Sequence, residues 1–121
     1  MTKKITGFLL VILPLLMFNI QPVRAEAPLI PLPTTIPEKI VYYSNQYGVS
    51  VSRMNKIIRC ESGYNPQAHN PNGENSWGLV QINLKAHKNI TIEQATDPDY
   101  AINYLAKNLA EGRGSMWTCN K

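Results

Sequence analysis

Glu61 is the residue of this sequence best placed to do chemistry, because it continues an apolar helical face where a helix would normally bury a leucine. The segment IIRCES puts Glu61 four residues after Ile57 and three after Ile58. Residues at that spacing share one face of a helix. A carboxyl group on such a face loses water, and desolvation raises its pKa by favouring the neutral form. We therefore expect Glu61 to serve as a general acid near neutral pH.

The alternative is that the helix frays at this end and leaves Glu61 in solvent, since Gly63 follows shortly after. Cys60 argues against fraying if it is bonded to Cys119, the only other cysteine. Such a bond would hold the end of the helix against the C-terminus. Rigid support of this kind is what a general acid needs.

The N-terminal segment has the pattern of a secretory signal peptide. Two lysines precede an apolar stretch, residues 5–20, and Val23 and Ala25 satisfy the small-residue rule for cleavage after Ala25. We predict that residues 1–25 are removed and that the mature chain is exported to the periplasm or secreted. An uncleaved membrane anchor is the alternative, because about 16 apolar residues lie near the lower limit for a spanning helix.

Export would place both cysteines in an oxidising compartment, so a Cys60–Cys119 disulfide is the expected pairing. Closing a loop of about 60 residues would stabilise the fold by on the order of 4 kcal/mol. A metal site is the weaker interpretation, since His69 and His87 lack the paired spacing of a zinc motif. We expect neither a metal nor another cofactor.

Charge and length limit the class of protein further. Loss of three basic residues with the signal peptide lowers the net charge from +4 to +1, and no basic stripe remains to bind nucleic acid. Residues 26–121 are enough for one small domain with a modest core, which we expect to be a monomer.

Periodicity and capping residues predict a mainly α fold of four to five helices around one loop-rich excursion. A proline-rich linker is predicted over 26–36 and the domain over 37–121. The excursion, residues 64–77, is rich in proline and asparagine and is predicted as loop with short strand pairing. The predicted helices cover about 37–48, 50–62, 79–88, a short turn after Thr91, and 97–112.

Three segments carry a resemblance to a known family. They are ESGYNPQA at 61–68, SWGLVQIN at 76–83 and DPDYAINYL at 97–105. In this order and spacing they resemble the lysozyme-like superfamily, and most closely the soluble lytic transglycosylase (SLT) family of peptidoglycan-cleaving enzymes. The resemblance implies an α+β lysozyme-like fold.

The resemblance also implies site residues. The family's catalytic glutamate falls on Glu61, with Ser62 as its polar neighbour, while Gly78, Gln81 and Asn83 would line the sugar cleft. From the residues themselves, Gly78 would let the backbone approach a ligand, and Gln81 offers a donor and an acceptor suited to an N-acetyl group. The alternative for Gln81 is an amide that only satisfies loop backbone.

The C-terminal tail departs from the larger SLT enzymes, which continue into an Ala-Tyr-Asn-Ala-Gly segment with an active-site tyrosine. This chain ends in GSMWTCNK, which resembles the small resuscitation-promoting factor domains. Their disulfide joins positions equivalent to Cys60 and Cys119, which supports that pairing. Tyr104 and Trp117 are the candidates to replace the tyrosine, and Tyr104 is predicted to bind substrate.

A second departure bears on the reaction type. The strand NSWGLVQIN is similar to one in animal-type lysozymes that carries a second catalytic carboxylate, but Ser76 stands at that position. A two-carboxylate hydrolase needs its second group roughly 5 to 9 Å from the acid. Glu74 is the nearby candidate, in an Asn/Gly-rich loop that makes the role less favoured. We place Ser76 and Trp77 in the substrate cleft and Trp117 behind the disulfide.

With one carboxylate, the resemblance implies a lytic transglycosylase that cleaves the bond from N-acetylmuramic acid to N-acetylglucosamine and forms 1,6-anhydromuramic acid. Glu61 would act first as acid and then as base. A muramidase and a non-catalytic glycan-binding assembly protein are the alternatives. The family also suggests an envelope-spanning secretion or conjugation machine as a partner.

Overall fold

The computed structural model describes residues 22–23 and 31–121. The predicted signal peptide, apart from residues 22–23, and the first part of the predicted linker lie outside the described residues. Four α-helices, a three-stranded antiparallel sheet and two 3-10 helices form the described part of Pro31–Lys121. They are α1 (Ile36–Tyr47), α2 (Val51–Ser62), β1 (His69–Asn70), β2 (Ser76–Trp77), β3 (Ile82–Asn83), α3 (Ile92–Thr96), α4 (Pro98–Ala110), and 3-10 helices at Gly114–Met116 and Thr118–Asn120. The predicted mainly α fold with one small sheet is confirmed.

Capping residues set the ends of the long helices. The side chains of Thr35, Ser50 and Asp97 accept hydrogen bonds from backbone amides in the first turns of α1, α2 and α4. Gly48 and Gly63 adopt left-handed conformations after α1 and α2, where a side chain would be unfavourable. The predicted starts and stops of these helices are therefore confirmed to within two residues.

The helix predicted over residues 79–88 is wrong. This segment forms turns on either side of β3, which pairs with β2 so that Ile82 lies opposite Trp77. Gly78 at φ 81° and Gln81 at φ 51° are both left-handed, which a right-handed helix cannot accommodate. Leu79, Val80 and Ile82 of this segment are buried in the core all the same.

The core lies between α1, α2 and α4, with the 79–90 segment closing one side. Its fully buried large side chains come from all of these parts, and they are Ile40, Met54, Ile57, Ile58, Leu79, Val80, Ile102 and Leu105. No helix among the described residues is both long and apolar enough to cross a membrane.

The end of the predicted linker contacts α1. The carbonyl oxygen of Pro33 accepts a hydrogen bond from Lys39 Nζ at 3.0 Å, and the backbone amide of Thr34 donates to Glu38 at 2.9 Å. These residues are thus bound to the domain, while the domain boundary itself stays a prediction.

Asp99 joins α1 to α4. Its carboxylate accepts hydrogen bonds from Lys39 Nζ and from the Tyr43 hydroxyl, both at 2.9 Å. The bond from Lys39 is the largest cause that lowers the pKa of Asp99, whereas burial and the bond to Asp99 raise the pKa of Tyr43 to about 12. Both shifts keep Asp99 ionised and Tyr43 protonated in the native state.

We predict that Asp99→Asn lowers the free energy of unfolding by about 1 kcal/mol at pH 7, a modest value because the carboxylate is partly exposed. Since the native pKa of Asp99 is depressed, its contribution is present above the unfolded pKa and is lost as pH falls through the native pKa. Urea titrations at several pH values should show the two proteins converging in acid. Asp97→Asn is the control, because asparagine caps a helix as well as aspartate does; a pH-independent difference for Asp99→Asn would contradict the assignment.

Candidate active site

Glu61 lies in the last turn of α2, one residue before the helix ends. The helix does not fray there: the amide of Gly63 donates to the Arg59 carbonyl at 3.0 Å, and the Ser62 hydroxyl donates to the Ile58 carbonyl at 3.1 Å. Ile57 and Ile58, on the preceding turn, are fully buried. Glu61 is half-buried at the edge of the core.

A cavity of about 580 Å³ opens beside Glu61, and we call it the Glu61 cavity. Its walls come from the end of α2, the β1–β2 hairpin, the turn before β3 and the C-terminal segment. The lining residues are Glu61, Ser62, Ala68, His69, Asn70, Glu74, Ser76, Gln81, Met116, Trp117 and Thr118. A cleft of this size and polarity suits sugar rings.

Three influences act on the Glu61 carboxyl group. Burial is the largest and raises its pKa, and the negative charge of Glu74 raises it further. The nearby backbone amide of Cys119 opposes both, because an N–H donor beside the carboxyl group favours its charged form. The net result is a pKa above the ordinary value for glutamate.

The Cys60–Cys119 disulfide places that amide. The two Cα atoms are 5.9 Å apart and 59 residues separate the cysteines in sequence, which confirms the predicted pairing. Because Cys60 immediately precedes Glu61, the disulfide holds the C-terminal segment against the end of α2. Arg53 adds a hydrogen bond to the Asn120 side chain at 2.7 Å.

A second, smaller cavity of about 220 Å³ adjoins the first, and we call it the Tyr104 cavity. Four residues line both cavities, namely Glu74, Gln81, Met116 and Trp117. The remaining wall of the Tyr104 cavity consists of Ile82, Asn83, Ala86, His87 and Tyr104. The Tyr104 hydroxyl lies 3.1 Å from His87 Nε2, and burial is the main cause that raises the pKa of this tyrosine.

Gln81 stands at the junction of the two cavities. Its side-chain amide nitrogen donates to the carbonyl oxygens of Ala68 at 3.2 Å and Gly78 at 3.0 Å. The nitrogen is thus used to satisfy loop backbone, as one of the two sequence interpretations proposed. Among residues 31–121 its carbonyl oxygen accepts no hydrogen bond, so it remains an acceptor for a ligand.

Comparison with known proteins identifies the family. Residues 38–120 match the family model of the transglycosylase SLT domain. The chain belongs to the SLT domain family. No curated protein and no solved structure gives a significant match. Membership indicates, in broad terms, a lytic transglycosylase that acts on peptidoglycan.

Ser76 and Asn83, both predicted cleft residues of this SLT domain, line different cavities. Ser76 is buried on β2, lines the Glu61 cavity and donates to Glu74 at 3.5 Å. Asn83 lines the Tyr104 cavity, and its side-chain oxygen accepts from the amides of Lys85 and Ala86 at 3.0 Å. Asn83 therefore also holds the turn that follows β3.

The two candidates for the missing tyrosine, Trp117 and Tyr104, differ in the cavities that they line. Trp117 is buried, donates from Nε1 to the Val80 carbonyl at 2.8 Å and lines both cavities. Tyr104 packs edge-on against Trp117 but does not line the Glu61 cavity. Among the described residues, no tyrosine lines the cavity that contains Glu61.

Gly78 and Trp77 line neither cavity. A Cβ atom on Gly78 would come within 1.7 Å of the Ala95 carbonyl oxygen, so the glycine permits the backbone of α3 to approach closely. The Trp77 ring stacks on His69, with 3.8 Å between ring centroids. The structure thus gives both residues a packing function.

Sequence reasoning assigned no site role to either histidine beyond setting aside a zinc motif. His69 lines the Glu61 cavity and His87 lines the Tyr104 cavity. It also missed Met116 and Thr118, which line the Glu61 cavity from the C-terminal segment. Among the described residues, no three His, Cys, Asp or Glu side chains are grouped so that they could hold a metal ion.

We predict that Gly78→Ala destabilises the SLT domain much more than Gly73→Ala. Both glycines have left-handed φ values, 81° and 76°, but a Cβ on Gly73 would meet no atom within 4 Å. The two substitutions share a conformational cost of about 1 kcal/mol, and only Gly78→Ala adds the clash, worth a further ~2 kcal/mol or more. Urea denaturation measures the difference. Equal losses would mean that the contact with Ala95 does not constrain Gly78.

Proposed function

We propose that the mature chain is an exported lytic transglycosylase that cleaves the β-1,4 bond between N-acetylmuramic acid and N-acetylglucosamine without consuming water. Glu61 is its catalytic acid and base. The observation that supports this most directly is the half-buried Glu61 carboxyl group, with its raised pKa, at the wall of a cavity of about 580 Å³.

Protonated Glu61 donates its proton to the glycosidic oxygen, and the bond from that oxygen to the muramoyl C1 breaks. The acetamido oxygen of the same sugar bonds to C1 and carries the developing charge. Burial supports the acid step because it keeps the Glu61 proton in place at a pH where an exposed glutamate has lost it.

The carboxylate then takes the proton of the C6 hydroxyl, whose oxygen bonds to C1 and displaces the acetamido oxygen. The product is 1,6-anhydromuramic acid, and Glu61 is protonated again. The amide of Cys119 supports this second step because a donor beside Glu61 favours the carboxylate that forms in the first.

Gln81 orients the acetamido group. Its amide nitrogen is held by the carbonyl oxygens of Ala68 and Gly78, so its Oε1 accepts from the acetamido N–H. Ser62, Ser76 and Asn83 supply further polar contacts along the two cavities, whereas Tyr104 contacts the sugar in the adjoining subsite. Peptidoglycan strands are long enough to occupy both cavities at once.

A muramidase is the second candidate, and Glu74 is the observation that favours it. This exposed carboxylate lines both cavities and lies close enough to Glu61 for its charge to raise the pKa of Glu61. It could activate water or attack C1 as the second carboxylate of a hydrolase. The lyase remains preferred because the family is one of transglycosylases.

The compartment and the partners are part of the proposal. The Cys60–Cys119 disulfide supports an oxidising compartment outside the cytoplasm, as the N-terminal pattern predicts. An enzyme this small could open local gaps in the wall for an envelope-spanning secretion or conjugation machine. Interaction with such a machine in the producing cell would test that proposal.

We predict that residues 26–121 release muropeptides ending in anhydromuramic acid from purified sacculi, as measured by mass spectrometry. Glu61→Gln should lower the rate by at least about 1000-fold, because the amide can neither donate nor take the proton. Glu74→Gln should release the same anhydro products as the wild type. Reducing-end products that disappear with Glu74→Gln would instead establish the muramidase.

Cosedimentation with sacculi separates an enzyme from a non-catalytic glycan-binding assembly protein. We expect Glu61→Gln to bind sacculi as the wild type does while cleavage is lost. If the wild type binds but releases no fragments of either kind, the assembly protein becomes the better description.

A further inference from the structure

His69 and Trp77 face each other across the β1–β2 pair, where they are direct partners in the antiparallel register. Their rings stack with centroids 3.8 Å apart and planes 14° from parallel. Cross-strand aromatic pairs of this kind stabilise a short hairpin. Trp77 therefore holds the plane of the His69 ring in a fixed position.

Asn75 determines which nitrogen of the neutral His69 ring carries the hydrogen. Trp77 Nε1 can only donate, so the atom of Asn75 at 3.0 Å from it is the oxygen Oδ1. The same oxygen lies 2.9 Å from His69 Nε2. Because Oδ1 can only accept, His69 Nε2 carries a hydrogen, and in the neutral ring Nδ1 is the acceptor.

The backbone supports this arrangement. Asn75 has φ 52°, a left-handed conformation that asparagine tolerates better than most residues, and its own carbonyl accepts from the Leu84 amide at 3.2 Å. Asn75 Oδ1, which accepts hydrogen bonds from His69 Nε2 and Trp77 Nε1, thus belongs to a turn that a backbone hydrogen bond holds in place. Among residues 31–121, His69 Nδ1 makes no hydrogen bond.

His69 lines the Glu61 cavity together with Glu61 and Glu74. We propose that His69 is a substrate-binding residue whose Nδ1 accepts a hydrogen bond from a hydroxyl or acetamido N–H of the glycan, with Asn75 and Trp77 as the residues that position it. This inference rests on the proposed function for the identity of the ligand. It gives Trp77 an indirect effect on substrate binding although Trp77 lines neither cavity.

The test uses the inactive Glu61→Gln chain, so that binding is measured without cleavage. The probe is the peptide-free tetrasaccharide with two N-acetylglucosamine–N-acetylmuramic acid repeats. His69→Phe keeps an aromatic ring against Trp77 but removes both nitrogens, and we expect it to weaken binding roughly fivefold, the effect of one lost hydrogen bond. Gln67→Ala, two residues before His69 and outside both cavities, should bind as the parent does.

Nitrogen NMR of histidine-labelled protein keeps the proposal testable even if His69→Phe fails to fold. We expect a His69 ring protonated at Nε2 and an Nδ1 resonance that moves when the tetrasaccharide is added. Trp77→Phe, which loses the donor to Asn75, should weaken binding in the same direction. Any of three results would overturn the proposal. They are a proton on Nδ1, an Nδ1 resonance that does not shift when the tetrasaccharide is added, and unchanged binding by a folded His69→Phe.

Different results would contradict the proposed reaction and the proposed role of His69. If sacculi are not cleaved but the tetrasaccharide still moves the Nδ1 resonance, the chain binds glycan through His69 without the proposed reaction. If Glu61-dependent cleavage proceeds and His69→Phe binds normally, the reaction stands and the role of His69 does not.

Discussion

The Cys60–Cys119 disulfide is the constraint on which the site depends. It attaches the C-terminal segment to the residue that precedes Glu61, and that segment contributes Met116, Trp117 and Thr118 to the cavity wall. Closing a loop of this length is worth about 4 kcal/mol in the chain-entropy model, a large share of the stability of a small domain. One covalent bond thus stabilises the fold and completes the cleft.

The same bond brings the Cys119 amide to Glu61, and this contact has a chemical meaning. A group that acts first as acid and then as base needs a pKa near the working pH, since a very high pKa would make the acid weak. Burial and Glu74 raise the pKa of Glu61, whereas the amide lowers it. The opposing influences allow both steps of the proposed reaction to use one carboxyl group.

Local signals in the sequence were sufficient for the parts of the fold that depend on local interactions. Thr35, Ser50 and Asp97 cap helices with their own side chains, and Gly48 and Gly63 end them, so α1, α2 and α4 could be predicted. The 79–88 segment could not, because its apolar residues fit a helix as well as a turn. Its conformation follows from pairing with β2 and from the close approach of α3 to Gly78.

In the candidate site, too, residues positioned by local signals could be predicted and residues positioned by tertiary contacts could not. Glu61 could be placed from the spacing of Ile57 and Ile58, and the SLT segments identified the family. His69 could not be found in this way, since what holds its ring is Trp77 on the opposite strand and the oxygen of Asn75. For Trp77 the sequence predicted an aromatic residue near the cleft but not its stacking on His69.

A carbon NMR titration of the Glu61 carboxyl group in the oxidised mature chain tests whether this group can act first as acid and then as base. We expect a pKa above the ordinary glutamate value, and a lower pKa for Glu61 when Glu74→Gln removes the neighbouring negative charge. Because the acid step needs protonated Glu61, cleavage should fall as pH rises through the measured pKa. A Glu61 pKa at or below the ordinary value, unchanged by Glu74→Gln, would contradict the proposed role of Glu61.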